Sequence, residues 1–533
     1  MMWPGLIVIP PVAKPTEPTP GALAVAAHLR DRGLEAEVLD LNLAFHRHLW
    51  SAPAGARAGR GSGATRARRA RTRSPRAAAA LAGPDGYRDA AAYRQALADL
   101  LLAYRTVGEA LGARLSPADL EIPGWSPLAS HHLARAARAP GTLPIGGLLL
   151  PLARRVLERD PAWIGVSVTF LSQALPAFGL AGWLRREGFR GPLVLGGALV
   201  GAWRRRLGPG SPVFRCWDAL VAGPGEVAAE ALARGEWDAP GIMAPARGVW
   251  RPPGPVPNDW APHPIPARPE SGYLAPGPVA PLTVSRGCYW RRCAFCPEAA
   301  QAGPPFRAAA PPRAVAALGS PWHSWVHLTD EAVPPRILAA LAGPAPGGRR
   351  PWYGFVRPEP TLLDPRLARG LAAGGCRLLR LGVESTCQAV LDRAGKGTRA
   401  EHLGPILRNL RSAGIRTHVY LLFGLPGQTR AEAESTLEWV RRHADAITFL
   451  NLALFHLPGG SRWEAELSGR GALGDHPPEE DLSLYRPFDD PGWPRRDVRR
   501  FLAEARTDPV VGTILRRTPA GLTANHAPFV PLD

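Results

Sequence analysis

Ser285-Arg-Gly-Cys-Tyr-Trp-Arg-Arg-Cys-Ala-Phe-Cys-Pro297 puts three thiols, Cys288, Cys293 and Cys296, within nine residues. The run that leads into them, 281–286 (PLTVSR), reads as a buried strand. The thiols therefore fall at a strand's C-terminal edge, where barrel enzymes carry their chemistry. Six cysteines in 533 residues, three clustered and three scattered, indicate a metal site in a reducing compartment, not a disulfide framework. Three thiolates on one loop suit three irons of a 4Fe-4S cube, the fourth iron being left to a non-protein ligand. Zinc is the rival metal, but structural zinc sites come as two half-sites and no second half follows here. Cys216, Cys376 and Cys387 read as buried, inert thiols.

Working outward, apolar strands recur near 324–329, 352–356, 378–383, 417–423 and 447–455. Helical segments such as 363–375 and 401–414 lie between them. Six strands in this rhythm predict a partial (β/α)6 barrel over residues 281–470, followed by a C-terminal extension, 471–533. Upstream, residues 251–280 contain ten prolines, so 246–280 is expected to be a semi-rigid linker. Residues 1–245 read as an α/β, doubly wound, Rossmann-like domain. Its strands fall at 6–11, 36–42, 164–170, 191–199 and 217–223, and its helices at 21–33, 172–188 and 225–235. An insertion, about 45–160, interrupts it. The strand ends carry Ser167, Thr169, Gly196, Gly197, Gly223, Gly225 and Glu226. Small residues there let a large ligand approach the backbone, or merely make tight turns.

The net charge is +19, with 64 basic residues against 45 acidic. Eight arginines and no acid crowd 57–76, which is expected to be a solvated, disordered loop before it is a nucleic-acid patch. Only Lys14 and Lys396 are lysines, and an ammonium is not interchangeable with a guanidinium. No apolar run approaches the roughly 20 residues of a membrane span. The opening MMWPGLIVIPP reads as a strand and not a signal peptide, so a cytoplasmic location is expected.

The motif SRGCYWRRCAFC resembles the cluster-binding loop of radical SAM enzymes, with one extra residue in the first gap (CxxxxCxxC instead of CxxxCxxC). The resemblance runs along the barrel. Thr329-Asp330-Glu331 ends the second strand, where that family places a polar motif facing the SAM methionine moiety. Gly382-Val-Glu384-Ser385 ends the fourth strand and looks like a ribose-side GVES motif, followed by Gly395-Lys396-Gly397-Thr398. Phe423-Gly-Leu-Pro426-Gly-Gln-Thr429 ends the fifth and looks like the FGLPGQT segment. The likeness implies a 4Fe-4S cluster on Cys288, Cys293 and Cys296, and SAM against Phe295, Asp330, Glu331, Glu384, Ser385, Lys396 and Pro426. Plainer readings stand beside these. Phe295 could be core, Asp330 and Glu331 could cap a helix starting at Pro334-Pro335, and Lys396 could cap a helix end.

The first half resembles the cobalamin-binding domain that often precedes such barrels. A corrinoid would then lie at Ser167, Thr169, Gly196, Gly197, Gly223, Gly225 and Glu226. The DxHxxG segment that supplies a cobalt ligand in other cobalamin folds is missing, which leaves open a domain that binds none. Only Cys216 precedes residue 281 and no cysteine follows Cys387, so a single cluster is expected. The resemblance implies cleavage of SAM to a 5′-deoxyadenosyl radical and, with cobalamin, methylation of an unactivated carbon. The implied partners are a small-molecule or peptide substrate and a low-potential electron donor such as flavodoxin or ferredoxin. Radical rearrangement or oxidation without methyl transfer is the alternative, and a basic zinc or nucleic-acid-binding protein is a distant one.

Overall fold

The computed structural model describes residues 5–51, 62–254, 262, 270–297, 306–319, 323–344, 349–477 and 479–532. Its first sheet grows from β1 (Gly5–Ile9), five consecutive buried residues. Such a run, apolar on both faces, suits the middle of a covered parallel sheet. β1 pairs in parallel with β2 (Ala36–Asp40) on one side and β3 (Trp163–Ser167) on the other. β4 (Leu193–Gly196) and β5 (Ala219–Val221) continue the parallel set. Two strands not foreseen from the sequence, β6 (Ile242–Ala244) and β7 (Val249–Trp250), add to that edge antiparallel. The order is β2-β1-β3-β4-β5-β6-β7, so the chain reverses its direction of winding beside β1. The loop after β1 thus lies at the switch point, where doubly wound sheets bind ligands.

Two boundaries differ from the expected ones. β7 pairs with the first sheet, and Tyr273 and Leu274 pack into its core, the Tyr273 hydroxyl donating to Asp40. Residues 249–250 and 273–274 of the predicted linker therefore belong to the first domain, while 279–280 open the second sheet; its middle, 255–261 and 263–269, lies outside the described residues.

The arginine-rich segment is the clear correction. Residues 57–61 lie outside the described set, but Ser62–Leu81 form a helix, α1, packed against a second helix, α2 (Ala90–Leu111). Ala67, Ala70, Ser74, Ala77, Ala78 and Leu81 are buried at helical spacing, and Ser74 Oγ donates to the Trp50 carbonyl (2.9 Å). The arginines line the other face, with Arg66 and Arg73 paired to Glu109 and Asp99. A stripe of small residues on one face outweighs the repulsion among cations that water screens.

The second sheet is parallel throughout, in the order β8 (Val279–Leu282), β9 (Trp325–Leu328), β10 (Trp352–Val356), β11 (Cys376–Glu384), β12 (Arg416–Phe423), β13 (Phe449–Leu454). Sequential order without reversal is that of an open barrel. The C-terminal extension folds back on both domains. Val498, Phe501, Val511 and Ile514 join the barrel's core, while Leu522, Phe529 and Val530 join the first domain's. Among the described residues no helix is long and apolar enough to cross a membrane.

Two buried histidines, His46 within the first domain and His526 where the C-terminal segment packs on it, are held as neutral rings. His46 Nε2 donates to the Ala13 carbonyl (2.7 Å) and Nδ1 accepts from the Tyr104 hydroxyl (2.6 Å). His526 does the same with the Leu274 carbonyl (2.6 Å) and the Tyr93 hydroxyl (2.9 Å). Burial lowers both pKa values from 6.5 to about 4. Between those values the unfolded chain binds protons that the fold rejects, so their stabilisation is complete above pH 6.5 and lost as pH falls toward 4. Asp40 and Asp330, pushed up to about 6 by burial, act in the opposite sense over much of that window. Urea midpoints across this range are expected to show a shallower acid loss in His526→Gln than in the wild type. Separately, Ala70→Glu should cost roughly 3 kcal/mol or more, whereas Arg71→Glu on the exposed face should stay within about 0.5 kcal/mol. A disordered segment would tolerate both.

Candidate active site

The cysteine loop leaves the barrel after a short pairing of Ser285-Arg286 with Arg307-Ala308. Its start is tied down by Asp330, whose carboxylate accepts from Ser285 Oγ (2.5 Å) and the Val284 N–H (3.2 Å). The helix after Asp330 is capped by Pro334, so neither Asp330 nor Glu331 is an N-cap. Asp330 is buried beneath the loop; Glu331 is exposed beside it.

The middle of the loop leans on the segment after β11. The Trp290 indole N–H donates to the Gly395 carbonyl (2.9 Å), and the Ala294 N–H donates to the Ala394 carbonyl (2.8 Å). Gly397 has φ 68°, and a Cβ there would lie 2.0 Å from the Trp290 ring, so only glycine fits. On the far side, the Trp463 N–H donates to the Ala294 carbonyl (3.1 Å).

Cys293 is buried, and Cys288 and Cys296 are half-buried. Arg357, just past the end of β10, donates to Cys293 Sγ (3.8 Å), to the Lys396 carbonyl (2.5 Å) and to Glu359 (2.8 Å). Its guanidinium also lies 4.4 Å from the Trp290 ring centroid. Burial raises the Cys293 pKa, while Lys396 and Arg357 oppose that rise. Two cations facing one sulfur favour its thiolate, the form that binds metal. Among the described residues no three His, Cys, Asp or Glu side chains gather as ligands of a single ion. A cube does not ask for that, since each thiolate binds a different iron. The donor set therefore fits an iron–sulfur cube.

Glu384 closes β11 with φ 65°, at a register shift between Gly382 and Glu384. A non-glycine residue held there costs about 1–3 kcal/mol, a strain that clusters at functional sites. The bulge turns its carboxylate to Lys396 Nζ (2.7 Å), and both side chains are buried. Lys396 Nζ in turn lies 5.9 Å from the Phe295 ring centroid. The structure thus brings Cys293, Phe295, Glu384 and Lys396 together. Phe295 is half-buried and packs against the cluster that holds Ala294, Phe455 and Trp463, and Lys396 is an ion-pair partner and not a helix cap. Ser385 goes elsewhere: it is fully buried, with its Oγ 3.3 Å from Thr436 Oγ1. Pro426 is half-buried next to Leu425, which packs with Ala294 and Ala394.

In the first domain the glycines answer mainly to their own chain. Gly197 (φ 103°) and Gly223 (φ 87°) have Cβ positions 2.3 Å from the Val168 carbonyl oxygen and 2.7 Å from Pro253. Gly196 and Gly225 are less crowded, at 3.7 Å from Val221 and 3.2 Å from Val25. Ser167 and Thr169 are half-buried on the same edge, and beside them Phe170 is 53% exposed. Glu226 is ion-paired to Arg286, which clasps the first domain to the strand that precedes Cys288. Arg357, Trp290 and Phe170 were not singled out from sequence. Arg357 had a usable signal, since it follows a predicted barrel strand as the other site residues do.

Residues 353–440 match the family described as the radical SAM superfamily. Over 97% of its length the chain superposes on 93% of the radical S-adenosylmethionine methyltransferase TsrM from Kitasatospora setae, solved with cobalamin and a 4Fe-4S cluster bound. The TM-score is 0.60 and the identity 17%. The cobalamin-dependent S-adenosylmethionine radical enzyme OxsB, with aqua-cobalamin and S-adenosylmethionine bound, matches 92% of the chain over 65% of its own, at TM-score 0.57 and 12% identity. An uncharacterized methyltransferase of Pyrococcus horikoshii is 25% identical over 270 residues, 47% of this chain and 58% of that protein, so the match spans less than two thirds of that relative. Residues 353–440 thus resemble a radical SAM domain, and the chain as a whole shares its fold with TsrM and OxsB.

Breaking the buried pair from one side is expected to be expensive. Lys396→Met leaves the Glu384 carboxylate buried and unpaired, at a cost of about 3–5 kcal/mol. Chemical denaturation of the double variant Glu384→Gln/Lys396→Met should recover most of that loss.

Proposed function

We propose that this chain is a cobalamin-dependent radical SAM enzyme that methylates an unactivated carbon. The observation that carries the reading is the convergence of Cys293, Phe295, Glu384 and Lys396 at the barrel's C-terminal edge, under a Rossmann edge joined to it by Glu226 and Arg286. Cys288, Cys293 and Cys296 would hold a 4Fe-4S cluster, and Phe295, Glu384 and Lys396 would contact SAM. A corrinoid would be held at the Rossmann edge by Ser167, Thr169, Gly196 and the exposed Phe170, small residues with one apolar ring. Bound together, these groups supply a 5′-deoxyadenosyl radical and a methyl group.

The chain's own residues bind and orient. Arg357 and Lys396 offset the thiolate charge near Cys293. Glu384 offers a carboxylate to the ribose hydroxyls or the amino group of SAM, and Phe295 a ring to the adenine. Trp290, Tyr289 and Glu359 brace the loop, the Tyr289 hydroxyl donating to Glu359 (2.9 Å). Hydrogen abstraction needs no side-chain base, which agrees with a site built from positioning groups. A low-potential one-electron donor, a flavodoxin or ferredoxin, is the partner this chemistry requires.

Full-length protein, purified without oxygen and supplied with iron, sulfide and cobalamin, is expected to be brown and to cleave SAM. Cys293→Ala should abolish 5′-deoxyadenosine formation, and continued turnover in that variant would refute the assignment. Methylation yields S-adenosylhomocysteine as well as 5′-deoxyadenosine. Radical rearrangement or oxidation yields only the latter, so product analysis separates the two.

A further inference from the structure

Lys14 is one of the chain's two lysines, and none of the chemistry above uses it. It sits on the loop after β1, at the switch point of the first sheet, and this loop reaches the barrel. Glu17, three residues on, bonds to His327 on β9 (2.6 Å) and accepts from the Tyr353 hydroxyl on β10 (3.2 Å). Lys14 Nζ donates to Thr523 Oγ1 (2.7 Å) and Asn525 Oδ1 (3.3 Å) of the C-terminal segment, both neutral acceptors. The residue is only half-buried, and its bond to Thr523 lies open to solvent.

The charges that face Lys14 do not cancel. Arg380 comes from β11, His327 from β9, His418 from β12, His526 from the C-terminal segment, and Glu17 from its own loop. Burial lowers the pKa of all three imidazoles, so they are neutral near pH 7. Two cations, Lys14 and Arg380, then stand against one carboxylate. Arg380 meets His327 Nε2 (2.9 Å), the Ala524 carbonyl (2.9 Å) and the Tyr353 ring (5.1 Å), none of them an anion. His418 is 1% exposed and neither ring nitrogen has a hydrogen-bond partner. The surplus positive charge at this half-buried position favours an anion that can reach it from solvent.

The inner face of the barrel opens upward from this floor. On β12, His418 is buried, while Tyr420 and Leu422 are half-exposed. Asn451, paired in register with Tyr420, is exposed. The Glu384–Lys396 pair lies at the C-terminal end of β11, on the side of the cysteine loop. Arg380 and Glu384 lie four residues apart on β11, about 13 Å at ~3.3 Å per residue.

We propose that Lys14, backed by Arg380, is the anion-binding group of the substrate chamber, and that the substrate is a small molecule bearing a carboxylate or phosphate. A compact ammonium with three donors suits either anion, and Thr523 and Asn525 orient it. Placing the site in a substrate chamber rests on the function proposed above; anion binding at Lys14 does not.

Two lysines make the test direct. Full-length protein labelled at lysine Nζ gives two side-chain signals, and Lys14→Met identifies which is which. Should that variant fail to fold, Lys14→Arg removes the signal and keeps the charge. Acetate and inorganic phosphate are added separately at pH 7.5, against chloride at equal ionic strength. The Lys14 signal alone is expected to shift saturably with one of them, and the anion that acts tells carboxylate from phosphate. The Lys14 pKa, lowered to about 8 by burial and Arg380 in the free protein, should rise by about one unit in the bound state. A lysine that merely ties the C-terminal segment to the loop would be indifferent to both anions, and that result overturns the proposal. SAM cleavage is read on the same preparation. Intact cleavage with an indifferent Lys14 refutes the anion site alone; a responsive Lys14 without cleavage refutes the proposed function alone.

Discussion

The arrangement of the site turns on one buried ion pair. Glu384 is held at positive φ by a bulge at the end of β11, and its carboxylate meets the ammonium of Lys396 twelve residues later. That contact fixes the segment 394–397, and the same segment supplies the carbonyls and the glycine on which Ala294 and Trp290 rest. Without the pair, the loop carrying the three cysteines would lose the surface it leans on. Strain at Glu384 and desolvation of Lys396 both oppose folding. They persist because the surrounding hydrogen bonds over-determine the geometry.

A second constraint is the way the two domains share one boundary. The Glu226–Arg286 pair joins the Rossmann edge to the strand before Cys288, and the loop after β1 sends Glu17 to the barrel strands. The C-terminal segment then packs Phe529 against Trp325 and Tyr353, with ring centroids 4.9 and 5.9 Å apart. Three separate parts of the chain thus meet at the boundary between the first domain and the barrel strands.

Much of this was legible in the residues. The six barrel strands and the five parallel strands of the first sheet follow from apolar periodicity, whereas the grouping of Cys293, Phe295, Glu384 and Lys396 was implied by the resemblance of their motifs to those of radical SAM enzymes. Three features were not. The arginine-rich helix was hidden because its dense positive charge masks the stripe of Ala67, Ala70, Ser74, Ala77 and Leu81, small residues that carry little apolar signal. The antiparallel strands β6 and β7 were hidden by brevity, at three and two residues, too short for any period to show. Ser385 stood in a motif with Glu384, yet adjacent residues on a strand point to opposite faces, and it turned to Thr436.

The order of strands, the thiol spacing and the scarcity of lysine belong to the sequence by itself, because each is a local pattern that needs no partner to be read. Which distant groups meet was decided only by the tertiary structure. Arg357 reaches Cys293, Glu226 reaches Arg286, and Lys14 faces Arg380 across 366 positions. The reason is physical: charge pairing and burial depend on who shares a cavity, and no single stretch of chain contains that information.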